Sequence, residues 1–208
     1  KTAKDKGINK AELQKQMGLN VEPDKPLVAM VSRLVGMKGL DLVRYIFDSM
    51  IAEGIQFVVL GTGDYIYENF FAEMAARYPG TVAVRKGFVP DLARKIYAGA
   101  DILLMPSKSE PCGLAQMVAL RYGTIPIIRE TGGLKDSIQD LGGENGNGYT
   151  FKTYNAHDML GAVKRAVGLY RNPDLWQDAV CHAMECDFSW QRSAKKYMEM
   201  YQRVLGMG

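Results

Sequence analysis

Apolar and polar positions alternate along this chain in two distinct periods. Leu27-Val-Ala-Met-Val31 is a short, continuous apolar run, and it is followed from Leu40 to Glu53 by apolar residues at helical spacing. The same couple recurs: Gln56-Phe-Val-Val-Leu60 with a helical stretch near Tyr65 to Tyr78, and Val82-Ala-Val-Arg85 with another near Leu92 to Gly99. Ile102-Leu-Leu-Met105 then leads into a helix after Gly113, Ile125-Pro-Ile-Ile128 reads as a fifth strand and Tyr149-Thr-Phe151 as a short sixth. From Asn155 to Tyr170, Pro173 to Met184 and Ser189 to Leu205 the spacing is helical throughout. Strands without polar alternation are covered on both faces, so the pattern predicts an α/β fold with a Rossmann-like parallel sheet flanked by helices. Such a sheet binds ligands outside the carboxyl ends of its strands, which makes the loops after the strands the informative ones.

Composition changes this picture little. With 208 residues, 47% hydrophobic and 24% charged, the chain suits one well-buried domain with appended helices. The net charge of +3 comes from interleaved acidic and basic residues, which gives no case for a nucleic acid or membrane partner. Cys112, Cys181 and Cys186 form no C-x-x-C pair, in keeping with reduced thiols in a cytoplasmic protein. No apolar stretch reaches transmembrane length, and the absence of an initiating Met fits a piece of a longer chain.

The ends of the first five strands carry the candidate chemistry. After the first strand, Arg33 and Lys38 flank a flexible turn and could clamp a diphosphate; a solvated basic loop fits them equally well, and the Gly-Lys-[Ser/Thr] ending of a Walker motif is missing. Gly61 and Gly63 lie in Gly61-Thr-Gly-Asp64, which lacks the third glycine of a dinucleotide fingerprint and has its simpler reading as a turn. Phe88 ends the third strand, where an aromatic face stacks on a nucleobase or fills a core. Glu110-Pro-Cys-Gly-Leu114 joins a carboxylate to the amides of a helix start running on through Ala115, a combination suited to phosphate, with a helix-capping carboxylate or a surface ion pair as the plainer reading of Glu110. Gly132 and Gly133 offer a second such start or a tight turn, and Gly142 to Gly148 reads as a flexible loop. His157 and His182 both lie in the helical tail, so a Cys112–His couple has little support, and no clustered carboxylates indicate a metal.

Val31-Ser-Arg-Leu-Val-Gly-Met-Lys-Gly-Leu-Asp-Leu42, Leu60-Gly-Thr-Gly-Asp64, Ser107-Lys-Ser-Glu-Pro-Cys-Gly-Leu114 and Arg121-Tyr-Gly-Thr-Ile-Pro126 together resemble bacterial glycogen synthases and plant starch synthases, with Thr131-Gly-Gly-Leu134 and Phe188-Ser-Trp190 extending the match. The resemblance implies a retaining GT-B glycosyltransferase of which this chain is the C-terminal, donor-binding half: residues 1–24 a linker with a helical lead-in, residues 25–208 the nucleotide-sugar domain. It implies transfer of glucose from ADP-glucose to the non-reducing end of an α-1,4-glucan, without metal or other cofactor. The acceptor contacts would come from an N-terminal domain that the final helix crosses back to meet. Residue by residue it places Arg33 and Lys38 on the diphosphate and Glu110 against glucose. The Cys112, Gly113, Leu114 and Ala115 segment falls near glucose and phosphate, and Phe88 beside adenine. Where the broader pattern has a second Glu that binds ribose, this chain has Val118. The location it implies is the cytoplasm, or a plastid in a plant. A UDP-glucose-using relative and a noncatalytic nucleotide-sugar-binding module are the alternatives.

Overall fold

A computed structural model describes residues 5–143 and 145–206. Its six strands are β1 Leu27–Val31, β2 Gln56–Gly61, β3 Val82–Lys86, β4 Ile102–Met105, β5 Ile125–Arg129 and β6 Tyr149–Phe151. They form one sheet in the order β3-β2-β1-β4-β5-β6, every pair parallel. The order reverses between β1 and β4, so the loops leaving those two strands diverge and open a crevice above the sheet.

The helices are α1 Lys6–Met17, α2 Leu40–Ala52, α3 Tyr65–Arg77, α4 Pro90–Gly99, α5 Ala115–Arg121, α6 Gly132–Ser137, α7 Ala156–Tyr170, α8 Pro173–Glu185 and α9 Trp190–Val204. Alternate residues of β1 to β4 feed two separate cores, while β5 and β6 contribute to the first. Val28, Met30, Phe57, Val59, Ile102 and Leu104 pack under α2, α3, α7 and α8, whereas Leu27, Ala29, Val58, Leu60 and Leu103 pack under α1, α4 and α5. That division is why the strands read as unbroken apolar runs. Phe47, Phe57, Phe70 and Phe71 anchor the first core through edge-on ring contacts at 5.2–6.2 Å, with Phe57 and Phe71 stacked at 6.5 Å.

Helix α1 lies against α4 and is fastened by buried polar groups rather than by an apolar stripe. The Lys6 ammonium donates to the carbonyls of Ala98 and Tyr122 at 3.1 Å and to the Thr124 hydroxyl at 2.8 Å, neutralising the C-terminal ends of α4 and α5. Lys10 pairs with Asp101 at 2.8 Å, and Asp101 also accepts the Leu27 N–H at 2.8 Å. The Gln14 amide donates to Gln56 Oε1 at 2.6 Å.

The loop from Gly142 to Gly148 is less free than its composition implies. Asn147 is buried, accepts the Gln139 N–H and donates to the Ser137 carbonyl, pinning the loop beneath β6; Glu144 lies outside the described residues. No helix among the described residues is long and apolar enough to cross a membrane.

Candidate functional site

The β1–α2 loop folds inward because Leu34 is fully buried, and it is stitched to the β2 loop by Leu34 N–H to the Thr62 carbonyl at 2.9 Å and Asp64 N–H to the Leu34 carbonyl at 2.8 Å. Gly61 and Gly63 permit that approach: a Cβ would stand 2.0 Å from the Ser32 carbonyl oxygen at the first and 2.4 Å from that of Leu34 at the second. Glu68 fixes the turn by accepting from the Thr62 hydroxyl and the Gly63 N–H. Those bonds, with Lys86 nearby at 3.7 Å, hold its carboxyl below the usual range.

A 3-10 turn over Gly36–Lys38 then aims Lys38 across the crevice. Its ammonium meets Glu110 Oε2 at 2.5 Å, with both side chains mostly buried, and the Ser107 hydroxyl donates to the same oxygen at 3.1 Å. The two residues that the family resemblance assigns to phosphate and to sugar are therefore paired with each other. Arg33 is exposed and has no carboxylate partner among the described residues.

Two clefts meet at Ser32 and Arg33. One, of about 230 Å³, is lined by Arg33, Lys38, Ser107, Glu110, Gly113, Leu114 and Ala115 over the ends of β1 and β4. The other, of about 360 Å³, runs over β2 and is lined by Leu60, Gly61, Thr62, Phe88, Val89 and Tyr97. Phe88 is 89% exposed, which rules out the core alternative for it. The result is one groove, charged at one end and apolar with an aromatic face at the other.

Gly113, Leu114 and Ala115 line the charged end, and Leu114 at the α5 N-cap supplies no side-chain cap for the first-turn amides. Cys112 is exposed and lines neither cleft. Gly132 and Gly133 stand behind the Glu110 loop, where a Cβ would lie 2.2 Å from the carbonyl oxygens of Glu110 and Cys112 respectively. The Gly133 amide already donates to the Glu110 and Pro111 carbonyls at 3.2 Å, so these glycines seat the loop rather than presenting that amide to a ligand. Val118 is partly exposed on α5 and lines neither cleft. Among the described residues no group of three or more His, Cys, Asp or Glu could hold a metal ion.

Several contributors escape a reading by motif. Gln116 is fully buried and donates to the Gly113 carbonyl at 2.9 Å and the Ser137 hydroxyl at 3.0 Å, while its Oε1 has no partner. Arg129, at the end of β5, donates to the Ser107 carbonyl at 2.9 Å and to that of Lys108 at 2.5 Å. The signal for Arg129 is a charge closing an apolar strand, too common to single it out.

Residues 12–175 match the family model described as "Glycosyl transferases group 1". The chain is 52% identical over 206 residues to a glycogen synthase of Geobacillus thermodenitrificans, covering 98% of this chain and 42% of that protein. It is 50% identical over 210 residues to one of Desulforamulus reducens, covering 100% and 44%. The chain thus spans less than half the length of these relatives. Among solved structures, the catalytic domain of starch synthase IV from Arabidopsis thaliana bound to ADP and acarbose superposes with a TM-score of 0.88 at 37% identity, over 99% of this chain and 44% of that one.

Proposed function

Since the chain belongs to the group 1 glycosyl transferases, in the glycogen synthase family, we propose that it is the donor-binding half of an ADP-glucose-dependent α-1,4-glucan synthase. The observation that carries the proposal is the continuity of the two clefts through Arg33. A charged pocket holding Lys38 and Glu110 opens into an apolar one walled by Phe88, a polarity suited to a nucleotide sugar laid from glucose to base. The starch synthase match bound to ADP supports the nucleotide class.

In this reading the base lies against Phe88, the diphosphate near Arg33 and the α5 start, and glucose beside Glu110. Breaking the bond between glucose and phosphate builds negative charge on the departing ADP, which Arg33, Lys38 and the α5 dipole stabilise without a metal. Glu110 orients the sugar and favours positive charge on its ring. Lys38 is shared: paired with Glu110 in the free chain, it also serves phosphate when the donor is bound. The acceptor glucan and its contacts belong to a further domain, so this chain alone binds donor and turns over little. The unpartnered apolar stripe of α9, formed by Trp190, Ala194, Tyr197, Tyr201 and Val204, fits a helix that packs on that domain.

Calorimetry on the chain without magnesium tests the proposal. ADP should bind, and more tightly than UDP; equal affinities or a requirement for metal would reject the ADP-specific, metal-independent reading.

A further inference from the structure

Beside the Lys38–Glu110 pair, a second set of contacts joins the same two loops. Asp41, in the first turn of α2 and three residues beyond Lys38, accepts a hydrogen bond from the Tyr154 hydroxyl at 2.5 Å. Tyr154 comes from the β6–α7 loop, 113 residues away in sequence. Lys108 Nζ and Arg129 Cζ lie 5.6 and 5.7 Å from the centre of its ring. Arg129 in turn clasps the carbonyls of Ser107 and Lys108, and the Lys108 N–H donates to the Met37 carbonyl at 2.9 Å. Met37 and Lys38 stand on one side of this ring of contacts, Ser107 and Glu110 on the other. Neither Asp41, Arg129 nor Tyr154 lines either cleft.

We propose that Tyr154 and Arg129 are positioning residues of the donor site, a brace that keeps the β1–α2 and β4–α5 loops in register so that Lys38 and Glu110 meet the ligand as a pair. The inference rests on reading the cleft as a nucleotide-sugar site. Three strand ends, those of β1, β4 and β5, are tied through one tyrosine, its hydroxyl on Asp41 and its ring against Lys108 and Arg129, whereas α2 and α7 already pack on each other through buried apolar residues. The brace is therefore a local device on the loops and not a support of the sheet. Burial and the Asp41 carboxylate push the Tyr154 phenol well above its ordinary value, so it stays protonated and keeps donating.

Tyr154→Phe removes one hydroxyl and leaves the ring. In the ligand-free chain it should speed amide exchange at Lys108 by about five-fold or more, with the melting temperature changed by no more than about 2 °C. It should weaken ADP-glucose binding about five-fold, but less than about two-fold in a Lys38→Ala background, because the effect passes through Lys38. Asp41→Asn keeps an acceptor for the hydroxyl and should stay close to the unsubstituted chain, whereas Asp41→Ala should behave like Tyr154→Phe. Unchanged exchange at Lys108, or equal losses of affinity in both backgrounds, would overturn the brace. Failure of the unsubstituted chain to bind either nucleotide would instead overturn the nucleotide-sugar reading, and the exchange result would then decide the brace by itself.

Discussion

Lys38 and Glu110 stand 72 positions apart in sequence, and their 2.5 Å contact takes two charges most of the way out of water. Removing one partner from such a pair leaves the other charged and poorly solvated, a loss of about 3–5 kcal/mol when burial is complete and less here. Lys38→Ala should accordingly lower the melting temperature of the free chain, and adding Glu110→Gln should recover part of the loss in the same scan. Glu110→Gln alone releases Lys38 for phosphate, so calorimetry should find ADP binding as tight or tighter while ADP-glucose binding weakens. Glu110→Ala should weaken ADP less than Lys38→Ala does. In an enzyme carrying both halves, Glu110→Ala should sharply reduce turnover. Lys6 offers a test through pH. Burial lowers its ammonium from 10.5 to about 8, so between those values the unfolded chain binds more protons than the folded one and stability rises with pH. The penalty is fully present below pH 8. Denaturation of the natural chain and of Lys6→Met at several pH values should show that the difference between them shifts in favour of the natural chain from pH 8 to 10.5.

Elements differ in how openly the chain announces them. All six strands could be read because each is built on a short, largely apolar and buried run, and β1, β4 and β6 end where the pattern ends. Helix α1 has no comparable stripe: its buried positions include Lys6, Lys10 and Gln14, whose nitrogens donate to carbonyls, to Gln56 and to Asp101 from distant segments, which periodicity cannot reveal. The Glu110 loop was legible from a carboxylate beside a helix start, and Phe88 from its place at a strand end. Arg129 and Tyr154 were not, because their role lies in contacts between loops far apart in sequence. Helix α9 gives an element-scale prediction. None of its residues is buried, and a 15-residue helix held by few tertiary contacts is marginal in water. Its amides should exchange far faster than those of α7 in a deuterium-exchange experiment on this chain, and slow when an N-terminal half is present.

At the scale of the molecule, the sheet order places every candidate residue on one edge, while α1 and its lysines fasten the other. That separation lets the candidate groove keep its shape independently of what faces it across the crevice. The pairing of Lys38 with Glu110 has a kinetic consequence. The two charges cancel, so among the described residues lining the charged cleft Arg33 is the one charged side chain whose field reaches an approaching anion uncompensated. Long-range attraction is then modest, and ordinary ionic strength, with a screening length of about 8 Å, leaves the encounter rate nearly untouched. On the proposed donor reading, discrimination among nucleotides is expected after contact, as Lys38 is redistributed toward phosphate, and in how long a ligand stays rather than in how fast it is captured.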